Sequence, residues 1–128
     1  MRSSTVPRVL ASLLADLACV LAFVLIGKAD HETGTALASV AATAWPFAAG
    51  TALGWVVTLA WTAPVRIWPT GVFVWAVTVA GGMTLRLLTG EGAPLSFVLV
   101  TSLFLAATML GWRAVARLLD ARTRRHRA

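Results

Sequence analysis

Four apolar runs, each about as long as a bilayer is thick, leave this chain few ways to fold. They cover residues 9–26, 36–61, 68–88 and 94–118, and the charges inside them are Asp16, Arg86, Arg113 and Arg117. A helix needs ~20 largely apolar residues to cross a ~30 Å hydrocarbon core. A surface helix of a soluble protein confines its apolar residues to one stripe, and these runs are apolar on all sides. The chain is 59% hydrophobic and 12% charged, against about 25% charged in an average soluble domain. A chain of this size buries only about two-thirds of its surface on folding, so the excess apolar surface has to face lipid. The expected fold is an all-α membrane protein, a four-transmembrane-helix antiparallel bundle. It forms a single domain over residues 1–128 with a basic tail at 119–128.

The breaks between runs are short and rich in turn formers. Residues 27–35 hold Gly27, Lys28, Asp30, His31 and Glu32, and the second break holds Pro64, Arg66 and Pro69. The third is Thr89-Gly90-Glu91-Gly92-Ala93, with Pro94 opening the next helix. Such short connections make neighbouring helices antiparallel. One side of the bundle then receives Arg2, Arg8, Arg66, Arg113, Arg117, Arg122, Arg124, Arg125 and Arg127. The other receives Lys28 and Arg86, alongside Asp30, Glu32 and Glu91. Basic residues near span ends stay on the cytoplasmic side. Both termini and the second loop are therefore expected in the cytoplasm, with the chain in the plasma membrane. The first run is read as a retained span. Its apolar stretch exceeds the ~7–15 residues of a signal peptide core, and it carries Asp16. A single cysteine, Cys19, leaves no internal disulfide and no thiolate metal cluster.

Asp16 is the polar residue of greatest interest. At ~1.5 Å per residue it lies about 12 Å inward from Arg8. An aspartate near the middle of a span costs roughly 2.5–3.5 kcal/mol on insertion scales. Ser12, Asp16 and Cys19 share one helix face, which should point into the bundle. Two readings stand: a protonatable or substrate-binding carboxylate, or a structural partner for a buried cation or hydroxyl. Arg113 either snorkels to the interface or reaches Asp16. Arg86, near the outer boundary, either pairs with the acids of the outer loops or forms an anion-binding site with Lys28 and His31. Its depth separates it from Asp16.

Two helical stripes look like packing seams: Gly71, Trp75, Thr78, Gly82 and Arg86 in the third run, and Thr43, Phe47, Gly50, Gly54, Val57 and Trp61 in the second. Gly50 and Gly54 form a small-xxx-small pair that lets helices approach closely, which favours a homo-oligomer or a partner membrane protein. Pro46 should kink the second run just after Trp45. Trp61, Trp68 and Trp112 read as an interfacial aromatic belt. Trp45, Trp55 and Trp75 lie deeper and, with Pro46 and Met83, are candidates to line a pocket for a flat apolar ligand. His31 and His126 are too far apart for a bis-histidine haem site. No phosphate loop, HExxH or Ser-His-Asp pattern is present, so no catalytic or metal residue and no cofactor is nominated. Beside a membrane the basic tail suits anionic lipid, at about 1 kcal/mol per basic residue, and not nucleic acid.

Several short motifs together carry a resemblance. They are Asp16 in the first run, Gly27-Lys28-x-x-His31 at its exit, Trp45-Pro46-Phe47, Gly82-Met83-x-x-Arg86 and Gly111-Trp112-Arg113. In order and spacing the chain resembles DUF3054, an uncharacterised family of small membrane proteins from actinobacteria and haloarchaea. The family pattern more often has arginine where Lys28 stands, so the charge is kept and the planar fork lost. The resemblance implies a four-helix membrane fold and groups Asp16, His31, Arg86 and Arg113 as one set. It brings no activity, substrate or cofactor. Four short spans with an acid in the first also resemble the small multidrug-resistance transporters in architecture, although there the acid is a glutamate and here the charge bias opposes dual insertion. The leading functional expectation is a non-enzymatic integral inner-membrane protein with a structural, accessory or ligand-binding role. The alternatives are a proton-coupled small transporter or channel subunit using Asp16, and a membrane enzyme or binder of a quinone, carotenoid or haem.

Overall fold

A computed structural model describes the backbone of residues 2–30 and 37–127, and the side chains of residues 6–27 and 37–123. Five α-helices follow one another: α1 (Arg2–Asp30), α2 (Leu37–Thr58), α3 (Val72–Leu88), α4 (Leu95–Leu105) and α5 (Gly111–Arg127). A turn over Ile67–Gly71, with Trp68 extended and the Gly71 N–H donating to the Arg66 carbonyl at 2.9 Å, leads into α3, and a π-helical turn at Ala106–Leu110 joins α4 to α5. There is no strand among the described residues. Among the described residues four rods are long and apolar enough to cross a membrane: Val6–Gly27, Leu37–Thr58, Ile67–Leu88 and Leu95–Thr123. They match the four apolar runs. Their outer faces carry large apolar side chains, such as Leu14 at 63% exposure and Leu103 at 71%. Surface of that kind promotes aggregation in water and suits contact with acyl chains.

The rods depart from the sequence expectation at two ends. α2 stops at Thr58 because Leu59 takes a left-handed conformation, φ 52°, and a short 3₁₀ turn over Ala60–Thr62 comes next. The fourth rod runs past the expected end at Leu118, and the basic tail continues α5 as helix to Arg127. α2 runs as helix on both sides of Pro46, the position where the sequence places a kink.

Close backbone approach holds α2 against α3. A Cβ on Gly50 would lie 2.8 Å from the Thr78 carbonyl oxygen, and one on Gly54 would lie 3.1 Å from Val74 Cα. One on Gly82 would run into the Phe47 ring. The Thr51 and Thr78 hydroxyls meet across this seam at 3.1 Å. The small-residue pair expected to join subunits therefore joins two helices of one chain. The spacing of Gly50 and Gly54 shows that some backbone must come close, and it is silent on whose.

The apolar core adjoins this seam through Phe47. Phe23 of α1 sits 6.0 Å from Phe47, 5.9 Å from Phe97 and 5.7 Å from Phe104, centroid to centroid. Val20, Val24, Leu105, Met109 and Met83 complete it. Aromatic pairs at such distances add about 0.5–1.5 kcal/mol each beyond their buried area.

Gly50→Ala should destabilise the bundle by about 1–3 kcal/mol, because backbone on the far side cannot yield. Gly27→Ala, with nothing within 4 Å of the new methyl, should leave stability unchanged or slightly raised. Reversible unfolding in mixed micelles, titrated with a denaturing detergent, reads both. Equal stability of the two variants would refute the close seam.

Candidate functional site

Asp16 projects from α1 into the interior and is 0% exposed. Arg113, at the start of α5 and also 0% exposed, meets it with a parallel fork. NH1 donates to Oδ1 at 2.8 Å and NH2 donates to Oδ2 at 2.7 Å. Two indoles complete the carboxylate's shell. Trp55 Nε1 on α2 donates to Oδ2 at 2.8 Å, and Trp112 Nε1 donates to Oδ1 at 2.9 Å. A carboxylate offers about four lone-pair sites, and each oxygen here accepts two donors.

The guanidinium is held as closely. Its Nε donates to the Pro64 carbonyl at 2.9 Å, and NH1 also donates to the Met109 carbonyl at 3.0 Å. Its Cζ lies 4.5 Å from the Trp112 ring centroid, within cation–π range. Pro64 lies in the connection between α2 and α3, where its carbonyl has no helical partner to satisfy. Among the described residues no buried side-chain nitrogen or oxygen lacks a hydrogen bond.

Local features make this geometry available. A π turn takes in one more residue than an α turn and so rotates the faces of the next helical turns. The one at Ala106–Leu110 immediately precedes Gly111-Trp112-Arg113, whose last two side chains reach a single carboxylate. Gly71 leaves room for the arginine stem, since a Cβ there would lie 2.8 Å from Arg113 Cδ. Bidentate arginine–carboxylate pairs are among the strongest charge-assisted contacts. In this arrangement Asp16 has no solvent contact, and each of its carboxylate oxygens is filled by two donors.

The other nominated residues are elsewhere. Arg86 lies at the opposite end of the bundle, where its Nε donates to the Gly92 carbonyl at 3.0 Å. Its Cζ stands 4.4 Å above the Phe97 ring. Among the described residues no ion pair joins it to Glu91. Beside it opens a cavity of 590 Å³ with Arg86 and Glu91 at its polar side and Phe23, Val24, Phe97 and Val100 along its walls. Lys28 and His31 lie outside the residues whose side chains are described. The set of four expected from the motif resemblance thus divides. Asp16 and Arg113 form one centre, and Arg86 stands apart from it.

The tryptophan assignments need correction. None of Trp45, Pro46, Trp55, Trp75 and Met83 lines the cavity. Trp45 is on the outer surface at 47% exposure, Trp55 serves Asp16, and Trp75 Nε1 donates to the Ser102 carbonyl at 2.9 Å. Met83 and Pro46 are buried in helix packing. Trp112, expected in the aromatic belt, is a ligand of the carboxylate. The physical reason is shared: an indole N–H in apolar surroundings must find an acceptor. The signal lies in Asp16 itself, whose acceptor capacity exceeds what one arginine fork fills.

Breaking a buried ion pair by removing one partner costs about 3–5 kcal/mol, while replacing both by apolar residues costs far less. Asp16→Leu and Arg113→Met should each lower unfolding stability by that amount, and the double variant should recover part of the loss. Strictly additive losses in a double-mutant cycle would deny the pairing.

The sequence model of a family described as "Protein of unknown function (DUF3054)" matches residues 13–116. No curated protein and no solved structure matches. The match takes in Asp16, Trp55, Arg86, Trp112 and Arg113, and over most of its length this chain belongs to the DUF3054 family.

Proposed function

We propose that the chain is a non-enzymatic, multi-pass protein of a prokaryotic plasma membrane that holds an amphipathic molecule in the cavity beside Arg86. The observation carrying this reading is the contrast between its two polar centres. Asp16 is closed off by Arg113, Trp55 and Trp112, which suits a fixed strut. Arg86 borders open space of 590 Å³, within the ~300–1,000 Å³ usual for small-molecule sites. Apolar walls with a guanidinium at one end match a ligand with an acyl or other apolar body and a polar or anionic head. A proton-coupled cycle through Asp16 would have to break charge-assisted bonds to fixed donors on every turnover, which counts against the transporter alternative.

In this reading the termini and the loop carrying Arg66 are cytoplasmic, and the Arg86 end opens outward. The support is the distribution of basic residues, nine of the eleven being assigned to one side. An arginine-rich sequence without Asn, Gln or Tyr accords with the actinobacterial and haloarchaeal range of the resemblance. A phosphatase reporter fused after the last residue should be inactive, and an active one would reverse the orientation.

Laurate is a suitable probe for the cavity. The purified protein in neutral detergent should bind spin-labelled laurate saturably, and Val100→Trp, which fills the cavity from one wall, should weaken binding at least about tenfold while the melting curve stays put. Arg86→Gln should weaken it by a similar factor through loss of a charge-assisted contact. Binding that survives both substitutions would exclude this cavity as the ligand site.

A further inference from the structure

At the opposite end from Arg86 the bundle carries a second recess that the proposed ligand cavity does not use. It measures 330 Å³ and lies between the beginning of α1, the connection leaving α2, and α5. Three arginines line it, one from each of these parts: Arg8, Arg66 and Arg117. Pro64 is also part of its lining, and the Pro64 carbonyl is the one clamped by Arg113. The recess is therefore built on a connection tied to the buried centre.

Its charge is largely uncompensated. Arg8 NH2 donates to Asp120 Oδ2 at 3.0 Å, in a pair that is about half exposed on both sides. Among the described residues no carboxylate pairs with Arg66 or Arg117. Three arginines thus line this recess, and among the described residues Asp120 is the one carboxylate paired with any of them. Converging guanidinium groups match phosphate oxygens in both geometry and charge. Trp61 borders the same recess at 44% exposure, and Trp68 at this end is 66% exposed, as fits indoles at the headgroup level of a bilayer.

We infer that this recess is a phosphate-binding site, taking the phosphate of an anionic lipid headgroup or a free phosphate ion between Arg8, Arg66 and Arg117. The two sources share one chemistry and differ in whether an acyl tail is attached. An ion pair as exposed as Arg8–Asp120 is weak, so Arg8 can turn to the phosphate at little loss.

The test uses the full chain. In native mass spectrometry from an equal mixture of phosphatidylglycerol and phosphatidylcholine, the wild type should retain phosphatidylglycerol selectively. Arg66→Gln with Arg117→Gln should reduce that retention about tenfold or more. Arg124→Gln, Arg125→Gln and Arg127→Gln together remove more charge from the tail and should leave retention intact. In a second arm, inorganic phosphate is titrated into the protein held in phosphatidylcholine nanodiscs. Saturable binding that the double variant loses would establish the site with free phosphate as its source. Arg66→Lys with Arg117→Lys keeps the charge and loses the fork, so it should bind either probe several-fold more weakly, which guards against a folding defect in the glutamine pair. Equal loss from the tail variant, or no specific uptake of either probe, would overturn the inference.

Discussion

A carboxylate and a guanidinium buried together decide how this bundle is arranged. Either charge alone near the middle of a span is costly, by about 2.5–3.5 kcal/mol even on the mildest scale. Set together, Asp16 and Arg113 remove that cost only if every remaining acceptor and donor is also served. That requirement recruits Trp55 from α2, Trp112 from α5, and the carbonyls of Pro64 and Met109. Three of the four rods and one connection are thereby fixed around a few atoms. The geometry is exacting in a way that apolar packing is not, because a shift of one helical step would leave buried polar groups unpaired.

The remaining contacts work by simpler means. α3 enters the arrangement through its glycines and the meeting of Thr51 with Thr78 against α2. In lipid there is no hydrophobic drive between helices, so close contact and hydrogen bonds must supply the association. The phenylalanine cluster around Phe23 fills the layer between the buried pair and the Arg86 end. Beyond it the helices part enough to leave the larger cavity. The result is a bundle with a rigid polar lock toward one end and open, partly charged space at each rim.

The sequence discloses the spans plainly, since run length and the scarcity of charge are direct readouts of hydrocarbon thickness. Asp16 is legible as a residue needing a partner, and Arg113 as a residue with two possible fates. The feature that decides between those fates is invisible in residue types. It depends on the π turn at Ala106–Leu110, which leaves no pattern in the sequence, and on the space over Gly71, which reads there only as one member of a packing stripe. Depth alone assigns Trp55 to a pocket and Trp112 to a belt, and depth does not tell which way an indole points. The Gly50–Gly54 spacing is legible as close packing, but its partner is not. A small residue reports that something is near without reporting what.

The order of the chain adds a consequence in time. Asp16 lies in the first span and its guanidinium partner in the last, 97 residues later. At about 5–20 residues per second of synthesis, roughly five to twenty seconds separate their appearance. Trp55 arrives sooner, on the second span, and offers the acid a single N–H in the meantime. A chain made helix by helix therefore has its first helix incompletely satisfied until the fourth is made. The fourth helix closes the arrangement, and a chain that stops short of residue 113 leaves Asp16 without its counter-ion.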